Sequence, residues 1–257
     1  MPGHSHLALA AALPLIALSP PVPRDPARLA AALDDLVASY PEALVRHDGR
    51  MLYWRSGPPT PLGDLAGPRS TSTVLDDPEI ADIFAWRYPM GPAAAPYGDP
   101  GRARPHAFFA RLYGDCRTGG VARDLVPVRW VDGHTIRFTR IAGAAAALGR
   151  VARDLERLGP SAAAYLWPTA GSYNCRVIAG TRTLSMHSYG AAIDLNSRYG
   201  AYWRWGSRPA AAKSIPTAVI QTFERHGFIW GGKWAHFDSF HFEYRPELIR
   251  AARREGP

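Results

Sequence analysis

The sequence predicts an α+β fold, and two observations predict it. Short runs with strand-like alternation, such as Leu125–Val131 and Ile136–Thr139, share the chain with runs at helical spacing, such as 141–158, without strict strand–helix alternation. The 257 residues are 47% hydrophobic and include 8 Trp, enough to bury one sizeable core and too many for a disordered chain.

The first element is an apolar stretch, Leu7–Leu18. It is shorter than the roughly 20 residues that span a bilayer, so a secretory signal over 1–22 and an exported, periplasmic or cell-envelope protein are expected, with no transmembrane span. Asp25–Tyr40 reads as a helix, with Pro26 in its first turn and Leu29, Leu33, Leu36 and Val37 at helical spacing. Ala43–Trp54 reads as a hairpin turning at Asp48–Gly49. Ten of the 24 prolines fall between Pro58 and Pro105, so 57–105 reads as a Pro/Gly-rich wrap with a short helix at 78–86. The boundaries expected are an accessory segment over 23–104 and a catalytic domain over 105–257. Within the latter, strands are expected at 125–131 and 134–141, a helix from Ile141 to Leu158, short strands at 176–180 and 191–196, a helix from Ile215 ended by Gly227, and a closing strand at 240–245.

The net charge of +8 comes from scattered arginines such as Arg102, Arg104, Arg111 and Arg117, with no basic run of five. That argues against nucleic acid as a partner and reads mainly as solubilising charge, while also suiting a polyanionic envelope. No phosphate-binding glycine loop is present. The two cysteines, Cys116 and Cys175, permit one disulfide in an exported chain. It would close a loop of about 60 residues, worth about 4 kcal/mol. Two buried thiols are the alternative.

The chemistry concentrates in two stretches. In "LSMHSYGAAIDLN", His187 precedes a bend at Gly190, and strand alternation in 192–196 puts Asp194 opposite to the core-facing Ile193 and Leu195. Small residues between the two polar side chains leave room for a metal ion. In "WGGKWAHFDSFHFEYRPEL", His241 and Glu243 share one strand face while Phe240, Phe242 and Tyr244 share the other. His187, Asp194 and His241, with a fourth position left to water, match the open donor set of a catalytic zinc. His236 competes with His241, whose direction the alternation fixes. Asp238 is a candidate proton carrier. Glu243 competes for that role, and orienting a ligand or pairing with Arg245 are equal readings of it.

These motifs carry a resemblance. "SMHSYGAAID" resembles the SxHxxGxAxD signature of the M15 zinc peptidases, the D-Ala-D-Ala carboxypeptidases and L-alanyl-D-glutamate endopeptidases, and "DSFHF" resembles their second motif. The likeness runs over roughly Tyr173–Leu248. It implies a Hedgehog/DD-peptidase-like fold, a small antiparallel sheet flanked by helices, with one Zn2+ per chain on His187, Asp194 and His241. It further implies Asp238 as general base and acid, Arg176 as the oxyanion-stabilising arginine, and Ser185 as a substrate hydrogen-bonding group, against which a local turn bond is the simpler reading. The substrates implied are peptidoglycan stem peptides with D-amino acids. Glutamate at the position of Asp238 goes with dipeptidases and carboxypeptidases, whereas aspartate is similar to the endopeptidase branch, so both scissile bonds stay open. A Cys116–Cys175 bridge would pin the loop of Arg176. The aromatic residues Tyr202–Trp205, Trp230 and Trp234 are expected to line or flank the cleft. The chain is expected to act as a monomer. The rival reading is a non-catalytic, zinc-stabilised wall-binding or structural protein.

Overall fold

Asp25 starts the first helix by accepting hydrogen bonds from the backbone N–H groups of Ala27 and Arg28, with Pro26 at the position where its missing N–H costs nothing. This helix, α1 (Pro26–Ser39), buries Ala32, Leu33 and Leu36. The structure is a computed structural model and describes residues 25–91, 98–131, 133–178, 181, 183–206 and 214–256. The expected signal segment lies outside the described residues.

The hairpin β1 (Leu44–His47) and β2 (Met51–Trp54) turns at Gly49, where φ is +84° and the Asp48 carboxylate caps the N–H groups of Arg50 and Met51. The short β3 (Thr60–Pro61) pairs with β2. The Pro-rich stretch then holds α2 (Thr71–Asp76), capped by Ser70, and a 3-10 turn over Ile80–Phe84. Next comes α3 (His106–Tyr113), which the sequence reading did not anticipate. β4 (Leu125–Arg129) and β5 (Thr135–Thr139) pair antiparallel, Leu125 opposite Thr139 and Arg129 opposite Thr135. α4 (Ala144–Glu156) packs on them, and α5 (Pro160–Leu166) follows.

The sheet that carries the site is made of β6 (Ala192–Asp194), β8 (His241–Tyr244) and β7 (Phe228–Trp230), antiparallel in that order. α6 (Thr217–Arg225) lies between β6 and β7 in the chain, and α7 (Pro246–Glu255) follows β8. The expected strand at 176–180 is not formed at 176–178. Val177 makes a single bridge to Leu184 and is 46% exposed, because no core faces it, and 179–180 lie outside the described residues.

Two apolar clusters meet at the site sheet. The first joins Leu33, Leu36 and Tyr40 to Phe108, Phe109 and the α7 residues Leu248 and Ile249, and takes in Ala192 and Ile229. The second joins β4, β5, α4 and α6 to Ile193, Phe228 and Phe242. Alternation therefore buries both faces of the sheet, and the polar residues on the first face must be satisfied internally. Among the described residues no helix is long and apolar enough to cross a membrane.

Candidate active site

Asp194 and His241 are directly opposed residues of neighbouring antiparallel strands, so the register itself brings them together. Ala192 stands opposite Glu243 in the same ladder. His187 arrives from a 3-10 turn, Met186–Tyr189, whose N-cap is Ser185: its hydroxyl accepts the His187 N–H at 3.4 Å. Gly190 ends the turn with φ +66° and lets the chain enter β6. A Cβ there would come within 2.4 Å of Leu125 Cδ2, so the position needs glycine twice over.

The three side chains converge. His187 Nε2 is 3.1 Å from His241 Nδ1, and Asp194 Oδ1 lies 3.2 Å from the first and 2.9 Å from the second. Donors about 2.0–2.1 Å from a tetrahedral zinc are separated by about 3.3 Å, close to this triangle. The remaining ring nitrogens fix which atoms face inward. His187 Nδ1 lies 2.5 Å from the Ser172 carbonyl, a contact that only an N–H makes favourable, so Nε2 carries the lone pair. His241 Nε2 donates to Glu243 Oε2 at 2.9 Å, which turns Nδ1 toward Asp194. Two imidazole nitrogens and a carboxylate oxygen thus share one small space, an arrangement that calls for a positive charge at its centre. Burial would lower the His241 imidazole, yet hydrogen bonds to Asp194 and Glu243 raise it to about 9. Burial likewise pushes Asp194 up, and the two imidazoles outweigh it and hold the carboxyl below its usual range. A proton meets the demand when nothing else does, and His187, Asp194 and His241 together could hold a metal ion instead.

Behind His241 stands a fully buried ionic network. Glu243 accepts from His241, from Arg104 Nη2 at 2.5 Å and from Arg245 Nη1 at 2.9 Å; Arg245 also donates to Glu247 at 2.5 Å. Burial raises the Glu243 carboxyl, while Arg104, His241 and Arg245 bring it well below the ordinary value. Both oxygens are therefore occupied, and Glu243 orients His241 rather than facing the cleft. Arg102 and Arg104, which read as surface charge in the sequence, are a correction: Arg104 is 4% exposed and both line the cleft, because the Pro-rich segment folds against the site sheet.

The cleft itself is a cavity of about 460 Å³ whose lining includes His187, Asp194, Asp238, His241, Arg176 and Ser185. Asp238 precedes β8, and its Oδ1 is buried without a hydrogen-bond partner among the described residues. Burial pushes its carboxyl up to about 6, and the Asp194 carboxylate acts in the same direction against His241, His187 and Arg102. Arg176 lies at the exposed rim, where Ser188 Oγ binds both its N–H and its carbonyl, at 2.9 and 2.8 Å. The neighbouring Cys175 is disulfide-bonded to Cys116. Tyr202, Trp205 and Trp234 line the cleft, and Trp205 is 71% exposed. His236 stands outside the trio: its Nδ1 is 2.8 Å from Asp99 Oδ2 and its ring packs edge-on against Trp203.

Residues 179–244 match the family model described as D-alanyl-D-alanine carboxypeptidase. No curated protein and no solved structure matched the chain. The matched segment, about a quarter of the chain, supplies both histidines of the triangle, Asp194 and Asp238, and supports a peptidase of the M15 type.

Proposed function

We propose that the protein is a zinc metallopeptidase that hydrolyses amide bonds of peptidoglycan stem peptides containing D-amino acids, of the D-Ala-D-Ala carboxypeptidase or L-Ala-D-Glu endopeptidase type. One observation carries the reading: three metal-type donors 2.9–3.2 Å apart stand in one cleft with a buried, unpartnered Asp238 oxygen. The donor set fits zinc, being two imidazoles and one carboxylate with room left for substrate. When bound, the ion supplies Lewis-acid chemistry, polarising an amide carbonyl and making water acidic near pH 7.

The residues divide the remaining work. His187, Asp194 and His241 hold the ion, and Ser172 and Glu243 hold the two imidazoles in the required tautomer and direction. Asp238 takes a proton from the attacking water at its free oxygen and delivers it to the departing amine; desolvation keeps its affinity for that proton high enough for the task. Arg176 faces the charge that develops on the amide oxygen. Ser185 sets the direction of His187 through its backbone. The segment 1–22 directs export to the envelope, where such peptides occur, and residues 105–257 form the catalytic unit with 23–104 as its accessory.

Metal analysis and muropeptide digestion, before and after chelation, test the reading. One zinc per chain and products that disappear on chelation are expected. A zinc-loaded protein that cleaves no muropeptide would sink the hydrolytic role, and cleavage indifferent to chelation would sink the metal.

A further inference from the structure

Beside the cleft lies a second cavity of about 550 Å³, walled by Trp86, Asp99, Thr183, Trp203 and His236. Arg102 and Ile178 line both cavities, so the two spaces meet at these residues. Arg102 comes from the Pro-rich stretch, outside the segment matched by the family model.

Its guanidinium is poorly compensated for a side chain only 12% exposed. The ion-pair partner, Asp99 Oδ1, stands 3.9 Å from Nε, and both Asp99 oxygens already accept from His236 at 2.8 Å. One terminal nitrogen reaches the His236 carbonyl at 3.4 Å, a long contact. Nε is buried with no hydrogen-bond partner among the described residues, and the guanidinium stands 5.7 Å from the centre of the Trp234 ring. Arg104 Nε is buried without a hydrogen bond as well, but Arg104 Nη2 is paired with Glu243 at 2.5 Å, and Arg176 sits at the open rim. A planar fork with no close carboxylate, held where two substrate-sized spaces join, is shaped for a carboxylate.

We propose that Arg102 determines specificity by receiving a carboxylate of the peptide substrate at the junction of the two cavities. This rests on the peptidase reading and adds to it a requirement on the substrate. The carboxylate has two possible sources in a stem peptide, the free C-terminus or the α-carboxyl of a γ-linked D-glutamate, and the same guanidinium serves either.

Two probe pairs separate them: N-acetyl-D-alanyl-D-alanine against its C-terminal amide, and a γ-linked L-alanyl-D-glutamyl peptide with the α-carboxyl free or amidated. Calorimetry on the full chain in chelator reads binding without turnover. In one pair the acid binds about 10- to 100-fold tighter than the amide, the range of a charge-assisted hydrogen bond, and that pair names the source. Arg102→Gln removes the preference, and Arg102→Lys, which keeps charge and loses the fork, reduces it at least about threefold. Equal affinities within both pairs, or a preference untouched by the Lys variant, overturn the proposal, and the Lys variant decides if the Gln variant does not fold. Failure of the peptidase reading looks different: the zinc-loaded protein cleaves neither peptide while the acid preference in binding stands.

Discussion

Replacing Glu243 by glutamine removes one charge and changes almost no volume, so its cost measures the network behind His241. Three N–H donors, from His241, Arg104 and Arg245, converge on the two Glu243 oxygens at 2.5–2.9 Å. A primary amide offers one acceptor oxygen and turns an NH2 toward the other side, so at least one donor then meets a donor. Arg245 keeps Glu247, whereas Arg104 loses its paired carboxylate in a site that is 0% exposed at Glu243. Breaking a buried pair from one side costs about 3–5 kcal/mol, and that is the expected loss in urea unfolding of the metal-free protein. Loosening the imidazole that Glu243 orients lowers metal affinity by about 10- to 100-fold. At metal concentrations that saturate the wild type, a 30-fold loss takes away about a further 2 kcal/mol. Urea titrations with and without zinc, with affinity read against a competing chelator, separate the two effects. A glutamine variant within 1 kcal/mol of wild type and with undiminished zinc affinity would refute the assignment of Glu243 as the orienting partner.

Further expectations follow from other residues. Asp238→Asn keeps one metal per chain and lowers kcat by about 10²- to 10⁴-fold; a near-normal rate on muropeptides would remove Asp238 from proton transfer. Gly190→Ala must hold φ near +66° and push against Leu125, so urea midpoints should report a loss of about 2–4 kcal/mol; a change below about 0.5 kcal/mol would show that the bend relaxes freely. Cys116→Ser frees the loop that bears Cys175 and Arg176 and lowers unfolding free energy by about 4 kcal/mol by loop entropy; unchanged stability in non-reducing buffer would show that the bridge does not constrain the unfolded chain.

The legible part of the site is the part that depends on local periodicity. Alternation in 240–245 put His241 and Glu243 on one face, and alternation in 192–196 put Asp194 away from the core, which is enough to anticipate a cross-strand pair. What periodicity cannot supply is the partner that comes from far away. Glu243 has several reasonable roles in the sequence, and only Arg104, 139 positions earlier, decides among them. Arg102 and Arg104 carried no signal because an arginine in a proline-rich run reads as solvated. The same limit applies to the fold. α1, the hairpin, β4 and β5 follow from caps, turns and alternation. α7 escaped the reading because its apolar residues, Leu248, Ile249, Ala251 and Ala252, are few and sit among arginines, so its buried face is recognisable only against α1. The segment at 176–178 erred in the opposite direction: β-branched residues suggested a strand, and among the described residues it makes one isolated bridge, Val177 to Leu184.

α1 and α7 lie against each other, tied by Arg28 to Glu255 at 3.0 Å and by Arg254 to Asp35 at 2.8 Å. These contacts join residues 227 and 219 positions apart, so they close almost the whole described chain on itself. During synthesis the polypeptide therefore emerges with its cluster around Leu33, Tyr40 and Leu248 incomplete until α7 has been made. The apolar face of α1 is thus covered by a helix more than two hundred positions away, and removing either helix uncovers the other.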